Sequence, residues 1–291
     1  MTQITDFISE AHPLAGQVAL VTGSGRGLGR AYAIALAKAG ATVAVTARTE
    51  NEIQSVQREI EQHGGHALAI SVDVTDKHAV ANLVTTIEQQ LGPIELLVNN
   101  AGALRAIGRV TDMDADDWWH EVEINLRGVF LCSQAVLPGM ITRKEGRIIN
   151  IVSVGGLFAV DCFSAYCTSK SALIRFSECL AIENKEHGIF VFAINPGNVR
   201  TSMTEYLRDS EIVRQRAPWM QQDWRQRFAD ATDTPIDRSV TLILQLAAGQ
   251  ADVLSGRYID AEEELTKLLD HADKIESKDL YTLRLQELSE V

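Results

Sequence analysis

The sequence predicts an α/β fold in which a doubly wound parallel sheet of about seven strands has helices on both faces. Short apolar runs alternate with longer segments that carry apolar residues at helical spacing. The apolar runs are nearly continuous, which is typical of strands buried on both faces of a parallel sheet. The first run, at 18–22, leads into a glycine-rich turn and then a helical segment, giving the order strand, turn, helix.

The other predicted elements alternate regularly as far as residue 197. Gly40 closes the first predicted helix, as glycine often does. Pro138 predicts an interruption in the long fourth helix. The predicted strands are 17–22, 42–47, 67–72, 95–99, 146–152, 189–194 and a short seventh at 256–259, and the predicted helices are 27–39, 50–62, 76–91, 114–141, 163–187 and 236–248.

The 291 residues are enough for one large α/β domain or two small ones. A single domain over 17–260 accounts for the alternating pattern, between a leader at 1–16 and a C-terminal helical tail at 261–291. Helices are expected in the tail at 262–271 and 279–288, because leucines recur there at helical spacing.

The composition argues against several classes of protein. A formal net charge of −12 disfavours a nucleic-acid groove, which needs a basic face. No apolar run is expected to span a membrane, and the N-terminus lacks the basic start and apolar centre of a signal peptide. The four cysteines show neither C-x-x-C nor zinc-site spacing. We therefore expect reduced thiols, a cytoplasmic location and no metal site.

The turn at 22–29 reads T-G-S-G-R-G-L-G and predicts a phosphate-binding loop. The dinucleotide pattern G-x-G-x-x-G does not fit, because its last position is Leu28, whereas T-G-x-x-x-G-x-G does fit. Glycines let the backbone approach a ligand, and the following helix directs unpaired N–H groups toward the turn. A pyrophosphate suits this arrangement. A plain glycine-rich turn is the alternative.

Tyr166 and Lys170 are four residues apart and share one face of a predicted helix. A tyrosine hydroxyl has an ordinary pKa near 10, and a neighbouring ammonium is expected to lower that pKa by stabilising the phenolate. Tyr166 would then give a proton to a carbonyl oxygen or take one from an alcohol. A solvated lysine beside a half-buried tyrosine is the alternative.

Four motifs follow one another along the chain: the glycine turn at 22–29, Asn-Asn-Ala-Gly at 99–102, Ser153, and Tyr166-x-x-x-Lys170. Together they resemble the short-chain dehydrogenase/reductase family of the T-G-x-x-x-G-x-G and Y-x-x-x-K type, over about 17–260. The resemblance implies a Rossmann-like fold. It also implies an enzyme that transfers a hydride between a nicotinamide cofactor and a carbonyl or alcohol.

The resemblance assigns roles to individual residues. Asn125 would bend its helix and hold a water that feeds protons to Lys170, which would hold the nicotinamide ribose. Ser153 would hydrogen-bond the substrate oxygen, and Asp73 the adenine amino group. For Asn125 and Asp73 an ordinary structural role is the alternative. The implied catalytic residues are Asn125, Ser153, Tyr166 and Lys170, and the implied cofactor-binding residues are Gly23, Ser24, Arg26, Gly27, Leu28, Gly29, Arg48, Asp73, Val74, Asn100, Ala101, Gly102, Tyr166, Lys170, Pro196, Gly197, Val199 and Thr201.

The end of the second predicted strand indicates the cofactor. An acidic residue there would bond the ribose 2′-hydroxyl and favour NAD, but Ala47 holds that position and Arg48 follows it. Arg26 lies in the glycine turn, and two guanidinium groups suit a 2′-phosphate. We therefore expect NADP(H), with NAD(H) as the second choice. Solvated arginines are the alternative.

The segment 201–230 follows the turn expected at the nicotinamide amide, and the resemblance implies that it forms a lid over the substrate. It holds Tyr206, Trp219, Met220 and Trp224 among many charges, which suits a mobile apolar wall that excludes water. The alternative is a pair of surface helices packed on the core. A lid of this kind favours an apolar or ring-shaped substrate over a small polar sugar.

The leading hypothesis is a cytoplasmic, metal-free, NADP-linked carbonyl reductase or alcohol dehydrogenase with a small-molecule substrate. Activities as a 3-oxoacyl reductase, or as an NAD-dependent polyol, sugar or steroid dehydrogenase, remain open. A nucleotide-binding regulator or scaffold is disfavoured by the complete catalytic set. The resemblance further implies a homotetramer or homodimer that pairs through helices 114–141 and 163–187. Many relatives have glycines after the equivalent of Asp260, and this chain has Ala261 and Glu262, so later contacts are not carried over.

Overall fold

The computed structural model describes residues 12–286. In this range the strands are β1 (Val18–Thr22), β2 (Thr42–Ala47), β3 (His66–Ser71), β4 (Ile94–Asn99), β5 (Gly146–Ile151), β6 (Ile189–Asn195) and β7 (Tyr258–Asp260). They form one sheet in the order β3-β2-β1-β4-β5-β6-β7, and every neighbouring pair is parallel. The prediction of a doubly wound parallel sheet of about seven strands is confirmed.

Helices cover both faces of the sheet, as predicted. Along residues 12–286 they are α1 (Gly27–Lys38), α2 (Glu50–Gln62), α3 (Lys77–Gln90), α4 (Ala115–Val122), α5 (Gly128–Arg143), α6 (Ser164–Asn184), α7 (Ser202–Asp209), α8 (Glu211–Arg216), α9 (Pro218–Ala229), α10 (Ile236–Ala247), α11 (Leu265–Leu269) and α12 (Ala272–Ser277). One apolar cluster joins α1, α2 and α10 to the sheet. A second cluster joins α3, α5 and α6 to the opposite face.

The strand order reverses at β1, and this reversal places the site. Leu20 of β1 lies opposite Ala44 of β2 on one side and Leu97 of β4 on the other. The connections leaving β1 and β4 therefore run to different faces and leave a crevice beyond their carboxyl ends. Ligands of open α/β sheets bind in such a crevice.

The long helix between β4 and β5 is irregular around Asn125, where the resemblance implied a bend, and not at Pro138. Pro138 lies inside α5 without ending it, so the predicted interruption there is wrong. Gln134 and Pro138 are both exposed, and the carbonyl that loses its N–H partner can bond water instead. The irregular stretch is a π-helical segment at Glu123–Arg127, between α4 and α5.

This composite helix, Ala115–Arg143, bears on the expectation that no apolar run spans a membrane. By length and composition it is apolar enough to cross a membrane. Half of its most apolar stretch is buried inside the fold. Leu131, Val136 and Met140 belong to the apolar cluster that packs on the sheet. Its apolar character is accounted for by a place in the core.

The C-terminal region differs in part from the sequence prediction. The helix expected at 262–271 shortens to α11, and α12 follows it. Residues 279–286 are not helical, and the rest of the helix predicted at 279–288 lies outside the described residues, as does most of the predicted leader. The N–H of Tyr258 donates to the carbonyl of Tyr281 at 2.9 Å, so the chain runs along the outer edge of β7. This hydrogen bond places Tyr281 at the edge of the sheet, where the sequence pattern had predicted a helix.

Candidate active site

The glycine turn between β1 and α1 is held tightly against the end of β4. Gly23 has a φ of +62°, which favours glycine. A Cβ on Gly29 would overlap the amide nitrogen of Asn100. That amide donates to the carbonyls of Thr22 and Gly23 at 2.9 and 3.1 Å. The two predicted motifs thus meet at the point where the strand order reverses.

The first turn of α1 is open to an anion. Arg26 is the N-cap residue, and its side chain makes no capping hydrogen bond. The first N–H groups of the helix therefore point into the turn without a side-chain partner, which suits a pyrophosphate. Ser24 has a different place from the one expected, because its buried hydroxyl accepts from the N–H of Thr46 at 2.8 Å and faces β2. Ser24 therefore braces the turn.

The adenosine end of the predicted site carries four charged groups. Arg48 is exposed just beyond β2. Asp73 follows β3, and although partial burial opposes the shift, hydrogen bonds from Thr75 and the charge of Arg48 lower the pKa of its carboxyl. Arg26 pairs with Glu52 of α2 at 3.5 Å. The sequence did not indicate that Glu52 belongs to this end of the site. Its side chain packs against Gly25 of the glycine turn.

The loop after β6 approaches the same turn from the other side. Val199 pairs with Thr234 in an isolated bridge, and the Thr234 hydroxyl accepts from the N–H of Asn198 at 2.8 Å. Thr201 caps α7 through its hydroxyl. A Cβ on Gly27 would lie 3.7 Å from the Thr201 methyl, so the loop and the glycine turn face each other.

Ser153, Tyr166 and Lys170 converge at the carboxyl end of β5. The Ser153 hydroxyl accepts from the N–H of Gly155 at 3.1 Å. A Cβ on Gly155 would lie 3.5 Å from both that hydroxyl and the Tyr166 ring, so the two side chains share one corner. Buried Lys170 donates to the carbonyl of Ile151 at 2.8 Å, and its ammonium lies 5.7 Å from the Tyr166 ring centroid.

Asn125 completes the group from the π-helical segment. Its carboxamide oxygen accepts from the N–H of Ala103 at 2.8 Å, and its nitrogen donates to the Ala103 carbonyl at 2.9 Å and the Ser169 hydroxyl at 3.1 Å. A Cβ on Gly102 would meet both the Asn125 oxygen and the Lys170 ammonium. The bend in the helix thus brings Asn125 to the same point as the lysine.

Burial controls the protonation of the central pair. It raises the pKa of Tyr166 to about 12, against a lowering effect of the Ser153 hydroxyl. It lowers the pKa of Lys170 to about 8, and the nearby charge of Glu121 opposes that shift. The expected lowering of the tyrosine pKa by the lysine is not what the fold shows. The Tyr166 hydroxyl is therefore neutral at neutral pH.

The segment 201–230 folds into α7, α8 and α9 above this corner. Leu207, Val213 and Trp224 are buried in a separate apolar cluster with Phe163. Trp219 stays partly exposed, with its ring centroid 6.2 Å from that of Phe163. The segment combines a packed base with an exposed rim. It forms an apolar wall that packs against Phe163, at the start of the helix that carries Tyr166.

The predicted residues therefore divide into two groups. The structure brings Asn125, Ser153, Tyr166 and Lys170 together, whereas Ser24 faces away from the crevice. Val74 packs against Gly128 at the start of α5 and supports the site from below. The other predicted cofactor residues follow the carboxyl ends of five strands: Gly23, Arg26, Gly27, Leu28 and Gly29 after β1, Arg48 after β2, Asp73 after β3, Asn100, Ala101 and Gly102 after β4, and Pro196, Gly197, Val199 and Thr201 after β6. Along 12–286, no group of three or more His, Cys, Asp or Glu side chains is placed to hold a metal ion.

Comparison with known proteins agrees with this geometry. Residues 17–212 match the model of the short chain dehydrogenase family. A short chain dehydrogenase of Pseudocercospora fijiensis is 37% identical over 268 residues, covering 90% of this chain and 85% of that protein. A 3-oxoacyl-[acyl-carrier-protein] reductase of Synechocystis is 39% identical over 201 residues, covering 69% and 81%.

A solved structure gives the same result. It is a phenylalanine-to-tryptophan variant of the actinorhodin polyketide ketoreductase with NADPH, which is 30% identical with a TM-score of 0.77. The match covers 84% of this chain and 95% of that one. The chain therefore belongs to the short-chain dehydrogenase family of Rossmann-like, nucleotide-binding oxidoreductases, which use NAD(P) to act on CH–OH and C=O groups.

Proposed function

We propose that this chain is an NADP(H)-linked carbonyl reductase or alcohol dehydrogenase in which Tyr166 is the general acid and base. The observation that carries the proposal is the corner formed by Ser153, Tyr166 and Lys170 at the carboxyl end of β5. A neutral tyrosine hydroxyl beside a serine hydroxyl gives one group that donates a proton and one that orients an oxygen.

Each residue has a defined task in this proposal. When bound, a nicotinamide cofactor supplies or accepts the hydride. Tyr166 donates its hydroxyl proton to the substrate oxygen during reduction and takes it back during oxidation. Ser153 hydrogen-bonds that oxygen. Lys170, held by Ile151, places a positive charge near the tyrosine and stabilises the phenolate that remains after proton transfer.

NADP(H) is favoured over NAD(H) because Arg48 and Arg26 flank the adenosine end and Ala47 offers no carboxylate. Glu52 supports the opposite preference, since its carboxylate pairs with Arg26 and would repel a 2′-phosphate. Arg48, unlike Arg26, is not paired with Glu52. The acid whose pKa it lowers is Asp73, which follows β3. We therefore assign the preference for the phosphate to Arg48.

The apolar wall above Tyr166 favours a mainly apolar or ring-shaped ketone or alcohol. Tyr206, Trp219 and Met220 keep part of their surface exposed beside the buried cluster, and this surface would leave the hydroxyls of a small sugar without partners. A 3-oxoacyl thioester is the second candidate, supported by the Synechocystis relative that is named for that reaction. Polyol and sugar substrates are the weaker candidates.

The proposal includes a homodimer or homotetramer and a cytoplasmic location. Cys132, Cys162, Cys167 and Cys179 are free thiols, which suits a reducing compartment. The surface of α5 and α6 carries exposed Phe130 and Ile182, which suits pairing of two copies.

A direct test is turnover with both cofactors on a matched set of substrates. Cyclic and aromatic ketones, 3-oxoacyl thioesters and small keto sugars are mixed with NADPH or NADH, and the cofactor absorbance is followed. We expect oxidation of NADPH with the apolar ketones. Tight NADPH binding without turnover on any carbonyl or alcohol would instead favour a nucleotide-binding regulator.

A further inference from the structure

Glu121 is a buried carboxylate beside the site that the proposed chemistry does not use. It lies in α4 and is 2% exposed. Its Oε2 accepts from the N–H of Arg105 and from the N–H of Ala106, the latter at 2.8 Å. Its Oε1 is buried and has no hydrogen-bond partner within residues 12–286. Burial raises the pKa of this carboxyl, against the two backbone hydrogen bonds and the charge of Lys170.

A carboxylate in this position is costly to bury. An apolar side chain of similar size would pack in the helix without leaving a charged oxygen away from water. An apolar residue would, however, leave the N–H groups of Arg105 and Ala106 without their acceptor. Glu121 therefore offsets the cost of its burial by fixing the backbone N–H groups of residues 105 and 106.

Asn125, one helical turn after Glu121, holds the same loop at Ala103. Two side chains on one helix face thus fix the loop 103–106 at both of its ends. The near end touches the catalytic corner, where Gly102 approaches Lys170. The far end carries the side chain of Arg105 away from the helix.

The Arg105 side chain reaches the wall of the site. Its guanidinium carbon lies 3.6 Å from the ring centroid of Tyr206 in α7. A guanidinium stacked on an aromatic face is attracted by the ring electrons and by dispersion. Along 12–286, the Arg105 guanidinium forms no ion pair, and the acid that its charge influences is Glu121 itself.

We propose that Glu121 is a positioning residue that fixes the Arg105 backbone so that the Arg105 guanidinium holds Tyr206 and α7 over the substrate. Glu121 touches neither substrate nor cofactor and acts through Arg105. The inference rests on the proposed function, because α7 closes a site only if a substrate lies beneath it. The contact itself belongs to the folded chain and can be measured without turnover.

The test uses the full chain with Glu121→Gln, Glu121→Leu, Arg105→Ala and the double variant of the last two. Glu123→Gln is the matched control, because Glu123 is acidic, lies two residues away and pairs with Arg127 at 3.7 Å. Glutamine keeps an oxygen acceptor for the two N–H groups and removes the charge. Leucine removes both.

The first readout is amide hydrogen exchange of the cofactor-free protein. Glu121→Leu should speed exchange at Arg105 and Ala106 by about tenfold, since each loses a hydrogen bond, whereas Glu121→Gln and Glu123→Gln should not. Both Glu121→Leu and Arg105→Ala should speed exchange across 202–209. Unchanged exchange across 202–209 in Arg105→Ala would overturn the proposal, even if Glu121→Leu fails to fold.

The second readout is KM against kcat for a ketone that the wild type reduces. Glu121→Leu and Arg105→Ala should each raise KM by about three- to tenfold, the range of a cation–π contact, and the double variant should be no worse than either. If the increases in KM multiply in the double variant, Glu121 does not act through Arg105. The same conclusion follows if Glu121→Gln raises KM as much as Glu121→Leu. If no ketone is reduced at all, the proposed function fails, and the exchange readout still decides the role of Glu121.

Discussion

The ammonium of Lys170 donates a hydrogen bond to the carbonyl of Ile151 at 2.8 Å, which ties the central helix of the site to the last residue of β5. The lysine is 5% exposed. Because burial disfavours the charged form, the pKa of Lys170 falls from 10.5 to about 8. The fold therefore carries a destabilising group at a position that the proposed chemistry needs.

This cost predicts that Lys170→Met stabilises the chain while it removes activity. The unfolded lysine holds its proton up to about pH 10.5 and the folded one only to about pH 8. Between these values the unfolded state binds more protons, so stability of the wild type rises with pH. The gain of the variant, about 3 kcal/mol at pH 7, should shrink as the pH approaches 10.5.

Denaturant unfolding of both proteins from pH 7 to pH 10.5 checks this prediction. Lys185→Met is the matched control, because Lys185 is exposed. A difference between wild type and Lys170→Met that stays constant with pH would show that the buried ammonium is not the source of the cost.

Arg48→Ala should weaken the binding of NADPH far more than the binding of NADH. The loss of a charge-assisted contact to a phosphate costs about 1.5–3 kcal/mol, or about 10- to 100-fold in catalytic efficiency. Glu52→Gln should shift the preference the other way, because Arg26 then loses its carboxylate partner. Efficiency is measured with both cofactors, and Arg58→Ala, on the same helix as Glu52, is the control. A wild type that already prefers NADH would contradict the assignment.

The lid hypothesis predicts ligand-dependent protection in α7 to α9. Hydrogen exchange on peptides covering 203–224 should slow when cofactor and substrate are both bound. Exchange near Trp219, which is 44% exposed, should change more than exchange near Val213, which is fully buried. High protection that ligands do not alter would make the whole segment part of the core, and the closing element would lie elsewhere.

Self-association should occur through α5 and α6. Phe130 and Phe176 lie with ring centroids 6.0 Å apart, and Ile182 is 71% exposed on the same helix as Phe176. Light scattering at micromolar concentration should give a dimer or tetramer of the 31.9 kDa chain. Ile182→Glu should shift it toward monomer, and Ile212→Glu, at an exposed position on α8, should not. A clean monomer for the wild type would refute the prediction.

Local signals in the sequence were enough to predict the sheet and most of the site. The near-continuous apolar strands are set by burial on both faces, and their ends agree with the structure to within one or two residues. Tyr166 and Lys170 share a face because the helical period places them there. Gly23 and Gly29 were predicted from the spacing of glycines in the turn, and that spacing exists because a Cβ at either position would overlap neighbouring atoms.

Features that depend on contacts between distant segments could not be predicted. The resemblance implied an irregular helix at Asn125, but its π-helical form depends on bonds from Asn125 to Ala103 and Ser169, twenty-two and forty-four residues away. Glu121 and Glu52 look like ordinary surface acids in the sequence, and only the fold shows one buried against a loop and the other against the glycine turn. Residues 279–286 have leucines at helical spacing, but they are held by distant contacts, such as the bond from Tyr258 to Tyr281 and the pair of Arg284 with Glu178.

The proposed chemistry is tested most directly by Tyr166→Phe, with turnover of a reducible ketone and NADPH affinity measured separately. Phenylalanine keeps the ring beside Ser153 and removes only the hydroxyl group, so the fold and the cofactor crevice are preserved. We expect turnover to fall by about 10²- to 10⁴-fold, the usual contribution of a general acid, with NADPH affinity unchanged. Turnover close to that of the wild type would contradict the assignment of Tyr166 as the proton donor.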